Sequence, residues 1–210
     1  MFVTLEGPEG AGKSTQAKLL AHRLSAWIPT KLIREPGSTI VGEQIREILM
    51  QHDLPPAAEL FLFSAARACI VHEKIRPALS EGSFVICDRY VDSTYTIQGY
   101  GLGMPQAQLR TICGIATNGL MPDLTFFLDV PSKLGIDRKG SDTNRLDERG
   151  ITLGDAYRQG YQELMLIDPW RWVQLNTSSL SVEETHERIY WEVLRRYSDR
   201  QRFKGEHNAN

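Results

Sequence analysis

The amino-acid sequence predicts an α/β fold of three layers: a five-stranded parallel sheet with helices on both faces and a mobile lid over one edge. Three observations predict it. Short apolar runs recur along the chain, helical periodicities separate them, and the first run passes through a glycine-rich turn directly into a helix.

The elements follow in order. Phe2-Val3-Thr4-Leu5 is an apolar, partly β-branched run closed by Gly7 and Pro8, and reads as a buried strand. From Lys13 the period changes, and Ala17, Leu20, Leu24 and Trp27 mark one face of a helix that stops before Pro29. Lys31-Leu32-Ile33 reads as a short second strand running into Arg34-Glu35-Pro36-Gly37. Helical spacing returns at Val41, Ile45, Ile48 and Leu49. A long helix is expected from about Glu59 to Leu79, its start (Leu60, Phe61, Leu62, Phe63) apolar all round and so buried on several sides. Phe84-Val85-Ile86-Cys87-Asp88 and Leu124-Thr125-Phe126-Phe127-Leu128-Asp129 are continuous apolar runs, each ending in a carboxylate; Trp172-Val173-Gln174-Leu175 is a weaker strand signal. Unalternated strands of this kind belong to a sheet covered on both faces. A last helix carries Val182, Ile189, Val193 and Tyr197, and a frayed polar tail is expected from Ser198. The stretch 133–149 is polar, contains glycine and is rich in Arg, Lys and Asp, which predicts an exposed, mobile connection. No repeat or low-complexity segment divides the chain, so residues 1–197 are expected to form a single domain.

Composition narrows the functional classes. The 210 residues are 41% hydrophobic and 24% charged with a formal net charge of −2, so no global basic field is available to hold a polymeric nucleic acid. No apolar run approaches the ~20 residues needed to span a bilayer, and the first strand begins too near Met1 to leave room for a signal peptide. Cys69, Cys87 and Cys113 lie far apart in apolar runs, as buried reduced thiols do, and a cytoplasmic location is expected.

The segment Gly7-Pro8-Glu9-Gly10-Ala11-Gly12-Lys13-Ser14 fits the Walker A pattern, with a strand before it and a helix after it. Glycines let the backbone curl until successive N–H groups face inward and cradle phosphate oxygens, and the positive end of the following helix adds a favourable field. Lys13 would bridge the β- and γ-phosphates of ATP, and the Ser14 hydroxyl would hold Mg²⁺. A ligand-free turn has no need of Lys and Ser at those two places. The loop therefore sets the fold as that of P-loop NTPases. The guanine-reading Asn-Lys-x-Asp of switch GTPases is absent. Asp88 ends a hydrophobic strand at the sheet's carboxyl edge, where ligands bind in open α/β folds. It can order the water shell of Mg²⁺, and the adjacent Arg89 can clamp a second phosphate bidentately.

These motifs, in order and across nearly the whole chain, resemble the thymidylate kinase family. The resemblance rests on Leu5 to Thr15, Arg34-Glu35-Pro36-Gly37-Ser38-Thr39, Leu62-Phe63-Ser64-Ala65-Ala66-Arg67, Asp88-Arg89-Tyr90-Val91-Asp92-Ser93-Thr94, Pro122-Asp123-Leu124 and Arg158-x-x-Tyr161. It implies transfer of the γ-phosphoryl of ATP to dTMP, giving dTDP and ADP, in a homodimer. It implies that Phe63 stacks on thymine and Arg67 bonds a base oxygen, that Glu9 reaches the sugar 3′-hydroxyl, and that Arg89 and Arg34 hold the acceptor phosphate. Thr94 and Gln98 would lie by the thymidine. The loop itself carries no Arg, so Arg138, Lys139 or Arg145 of the lid would quench charge on the transferred group, Arg145 lying in Asn144-Arg145-Leu146-Asp147. Three positions depart from the family pattern: Ile97 replaces a tyrosine that distinguishes deoxyribose from ribose, Gly101-Leu102-Gly103 replaces Gly-Arg-Gly, and the lid is short and opens its closing motif with Asn144. The residues themselves leave open another nucleotide or deoxynucleoside kinase, or a nucleotide-binding regulator without turnover.

Overall fold

The computed structural model describes residues 1–140 and 145–207, with the side chains of Lys139, Arg145, Asp147, Glu148, Ile151 and 203–207 excepted. Among the described residues, β1 (Phe2–Glu6), β2 (Thr30–Arg34), β3 (Phe84–Asp88), β4 (Leu124–Asp129) and β5 (Trp172–Asn176) form one sheet of order β2-β3-β1-β4-β5. Every pairing is parallel. The helices are α1 (Lys13–Ser25), α2 (Ile40–Gln51), α3 (Pro56–Ile70), α4 (Arg76–Ser80), α5 (Val91–Thr94), α6 (Gln106–Thr117), α7 (Ser132–Lys139), α8 (Arg145–Thr152), α9 (Gly154–Ile167) and α10 (Val182–His207).

Alternate residues of each inner strand enter different cores, which is why those strands read as continuous apolar runs. Val3, Leu5, Phe84, Ile86, Leu124, Phe126 and Leu128 pack with Leu20 and Leu24 of α1 and with Ile189 and Val193 of α10. On the other face Phe2, Val85, Cys87, Phe127 and Trp172 pack with Leu60 and Ile70 of α3, Leu109 and Cys113 of α6, and Tyr161 and Leu164 of α9. The result is a helix–sheet–helix sandwich with a satellite core of Ile45, Leu49 and Ala66 between α2 and α3.

Three elements differ from the sequence-based expectation. First, α3 and α4 form a nearly continuous rod joined by a wide, π-type turn at Val71–Ile75. That turn falls just before Pro77, which lacks an N–H and crowds the preceding turn of an α-helix. Leu60 at the rod's start is buried, but Phe61 is 60% exposed, so the apolar cluster there is not sunk on all sides. Second, the stretch 133–149 is no open connection over its described parts, because α7 and most of α8 lie within it. Third, α10 opens with a reciprocal cap, in which Ser181 Oγ accepts from Glu184 N (3.0 Å) and Glu184 Oε2 accepts from Ser181 N (2.8 Å). It then runs through the expected tail to His207, tied by an Arg200–Asp123 ion pair at 2.6 Å.

Candidate active site

The carboxyl ends of β1, β3 and β4 place the chemistry-bearing residues together. Between β1 and α1 the loop Gly7–Ser14 curls through positive φ at Gly7, Gly10 and Gly12. No side chain caps α1, and its first basic group is Lys13 itself, so the helix opens with unclaimed backbone N–H groups at the loop. Gly10 is required twice over: its φ is +69°, and a Cβ there would stand 1.7 Å from the carbonyl oxygen of Gly135 in α7. A Cβ on Gly135 would in turn meet the Glu9 carbonyl oxygen at 2.2 Å. Helix α7 therefore lies backbone to backbone on the phosphate loop.

Lys13 is buried and donates from Nζ to the Pro8 carbonyl at 2.7 Å. Burial and the neighbouring Arg89 lower its pKa, against the pull of Glu9, Asp88 and Glu6. The Ser14 hydroxyl donates to Asp88 Oδ2 at the end of β3, which brings the two sequence-predicted metal ligands into contact. Thr15 follows in the first turn of α1. Arg89 adopts φ +69°. Its Nη1 donates to Ser93 Oγ at 3.0 Å, and its Nη2 forms an ion pair with Glu9. Burial disfavours its charge, yet Glu9, Tyr161, Glu6 and Asp88 raise its pKa on balance.

Beneath Arg89 lies Glu6, the last residue of β1, with no exposed surface. It accepts from the Tyr90 amide (2.7 Å), Ser93 Oγ (2.6 Å) and Tyr161 Oη (3.1 Å). Burial first, and then the repulsion of Asp92, push its pKa up to about 7. Sequence reasoning missed Glu6. A carboxylate closing an apolar strand was noticed in β3 and β4, and the same signal is present in β1.

Arg67 is also buried. It donates to Glu35 from Nε (2.9 Å) and Nη2 (2.7 Å), to the Tyr90 carbonyl (3.2 Å) and to Cys113 Sγ (3.5 Å). Phe63, one turn earlier on α3, is half-buried against the satellite core. Thr94 is buried at the end of α5, and Gln98 donates from Nε2 to Glu59 Oε1 at 3.0 Å. Ile97 stands half-buried on the wide turn Tyr95–Gly101, while Tyr95 is spent in the core.

Two sequence candidates have other partners. Arg34, exposed at the end of β2, reaches Glu43 of α2 (3.1 and 3.2 Å). Arg138 of α7 donates to the carbonyls of Thr177 (2.8 Å) and Ser178 (3.1 Å), beside the phosphate loop, since Thr177 Oγ1 itself donates to the Ala11 carbonyl. The backbone of Arg145 opens α8, but its side chain, that of Lys139 and all of Asn144 lie outside the described residues. Arg149, which sequence reasoning did not single out, pairs from α8 with Glu59. Arg158 of the Arg-x-x-Tyr motif clasps Asp129 at the end of β4 (2.7 and 3.1 Å).

The Thymidylate kinase family model matches residues 5–189. A thymidylate kinase of Roseiflexus sp. (strain RS-1) is 47% identical over 207 residues, covering 90% of this chain and 91% of its own. That of Chlorobium luteolum is 40% identical over 213 residues, with 95% and 99% covered. The crystal structure of thymidylate kinase from Ehrlichia chaffeensis superposes with a TM-score of 0.76 at 29% identity, covering 93% of this chain and 98% of that one. With the phosphate loop, the parallel sheet and the Asp88–Arg89 edge in place, these matches show that the chain belongs to the thymidylate kinase family.

Proposed function

We propose that this chain transfers the γ-phosphoryl group of ATP to dTMP, giving dTDP and ADP, with the donor at the phosphate loop and the acceptor between α3, Arg89 and the Tyr95–Gly101 turn. One observation carries the placement: Arg89 and the phosphate loop are joined through Glu9. Arg89 and Lys13, cations suited to two different phosphates, are thus near neighbours, and the Glu9 carboxylate attracts both.

In this reading the backbone N–H groups of Gly7, Glu9, Gly10, Ala11 and Gly12 line the donor cradle, Pro8 having none to offer, with Ser14 and Thr15 at its helical end. Lys13 leaves the Pro8 carbonyl for the β- and γ-phosphates. Arg89 holds the acceptor phosphate and Glu9 turns to the sugar 3′-hydroxyl. Phe63 and Arg67 meet the base, with Thr94 and Gln98 beside it, and Arg34 stands further out. The adjacent Ser14 hydroxyl and Asp88 carboxylate are oxygen donors of the kind Mg²⁺ takes and would hold the ion, which would neutralise charge on the phosphates. Helices α7 and α8 form the lid at about 133–149, and its arginines Arg138 and Arg145 supply charge to the transferred group. No covalent enzyme intermediate is needed, because in-line positioning and charge stabilisation account for the transfer.

Ile40 and Ile48 on α2 and Phe61 on α3, at 83%, 41% and 60% exposure, are apolar side chains that a homodimer through these helices would cover. No helix among the described residues is long and apolar enough to cross a membrane. The three cysteines are free thiols, in keeping with a reducing cytoplasm.

Paired variants test the two halves of the site. Lys13→Ala is expected to lower kcat by ~10²–10³-fold or more with the fold intact by circular dichroism. Phe63→Ala is expected to raise the KM for dTMP by about tenfold with the KM for ATP little changed. Near-normal turnover by the first variant, or an unchanged acceptor KM in the second, contradicts the assignment.

A further inference from the structure

Glu59 has no exposed surface, yet side chains from two other elements around the proposed acceptor pocket converge on its carboxylate. It stands in the first turn of α3, one helical turn before Phe63. From α8, Arg149 donates to both of its oxygens, Nη2 to Oε1 at 2.6 Å and Nη1 to Oε2 at 3.1 Å. From the wide turn after α5, Gln98 Nε2 donates to Oε1 at 3.0 Å. From α9, Tyr157 stands near the Arg149 guanidinium, which opposes the rise that burial causes in its phenol pKa. Arg149 is itself only 21% exposed, and α8 continues over the loop, where Gly150 approaches Glu9.

We propose that Glu59 and Arg149 are positioning residues, an ion-pair latch that ties closure of α8 to the acceptor pocket and fixes the orientation of Gln98. The inference rests on the acceptor placement proposed above. Its chemistry has two parts. An ionised carboxylate only accepts hydrogen bonds, so Glu59 holds the Gln98 amide with its NH₂ turned inward and its oxygen on the opposite side. A base N–H can use that oxygen, whereas a ring nitrogen lone pair cannot. Next, a buried carboxylate with a single neutral donor is costly, and a two-pronged guanidinium offsets that cost. Arg149 arrives with α8, so the carboxylate draws the helix down. Opening α8 removes the guanidinium and loosens Gln98 together with it.

The latch is tested by steady-state kinetics and hydrogen exchange on the full chain. Arg149→Met and Glu59→Gln are each expected to raise the KM for dTMP about tenfold, with the KM for ATP changed less than about twofold. The double variant should be no worse than the worse single one, because both remove the same interaction. Arg149→Lys, which keeps the charge and loses the fork, should recover part of the effect. In the parent, dTMP should slow amide exchange across 145–152, and Arg149→Met should abolish that protection. An unchanged acceptor KM with unchanged exchange overturns the latch. So does an equal rise in both KM values accompanied by a lower Tm, since that marks a general structural role. Phe63→Ala run alongside separates the two readings: if it too leaves the acceptor KM unaltered, the pocket placement has failed, and if it alone raises it, only the latch has.

Discussion

Glu6 and Arg67 are charged groups placed where water cannot reach them, and each ties the site to the core. Burial raises the Glu6 carboxyl from 4.5 to about 7, so the folded protein binds its proton more tightly than the unfolded chain does. Stability from this group is therefore fully present below about pH 4.5 and is lost as pH rises through about 7, a total of roughly 3 kcal/mol for the shift. Between pH 8 and pH 5.5 the parent should gain Tm relative to Glu6→Gln, and parallel Tm profiles would contradict this. At Arg67 the expected effect is larger. Removing Glu35 leaves a buried guanidinium facing the Tyr90 carbonyl and Cys113 alone, so Glu35→Ala should cost about 3–5 kcal/mol in urea titrations. The motif around Phe63 and Arg67 was legible in sequence, as was the phosphate loop. Glu35 as the partner was not, because 32 residues separate the pair and no local spacing encodes which loop folds back on α3. Arg138 and Arg34 were read as charged groups of the right type, but their resting partners depend on loops that composition does not place.

At the level of elements, the strands were the most legible part, and their two-sided burial is the reason. The segment 133–149 was the least legible. Helix α7 carries little apolar periodicity because it docks on the phosphate loop through the backbone of Gly135, a contact that leaves no hydrophobic pattern. This contact carries its own prediction. Gly135→Ala keeps α7 helical, since Ala is the better helix former, but its Cβ cannot coexist with the Glu9 carbonyl at 2.2 Å. The helix must lift off the loop. An approximately tenfold or greater loss of kcat is expected with circular dichroism unchanged, and full activity would show that the close approach has no bearing on turnover. The start of α3 was misjudged for a related reason. An all-apolar turn does not say whether its outer face meets the same chain or another copy of it.

At the scale of the whole molecule, that outer face becomes a question of assembly. Phe61, Ile48 and Ile40 are exposed on α2 and α3, which pack on each other through Ile45, Leu49 and Ala66. Sedimentation should find the parent as a dimer and Phe61→Asp shifted to monomer, because a carboxylate at the centre of an apolar interface must be desolvated without a partner. A parent that sediments as a monomer at micromolar concentration would contradict the assembly.

The sandwich brings the phosphate loop, the Asp88–Arg89 edge and the α3 wall to one end of the sheet, where the γ-phosphoryl group is expected to pass from ATP to dTMP. Coupled ADP release over a panel of acceptors tests that claim most directly: dTMP, its ribose counterpart, dUMP, dCMP and thymidine, each with ATP and Mg²⁺. Acceptor-dependent ADP release is expected to be greatest with dTMP, very low with dCMP and thymidine, and lost in Lys13→Ala. ADP release that ignores the acceptor, or that is greatest with thymidine or dCMP, would contradict it.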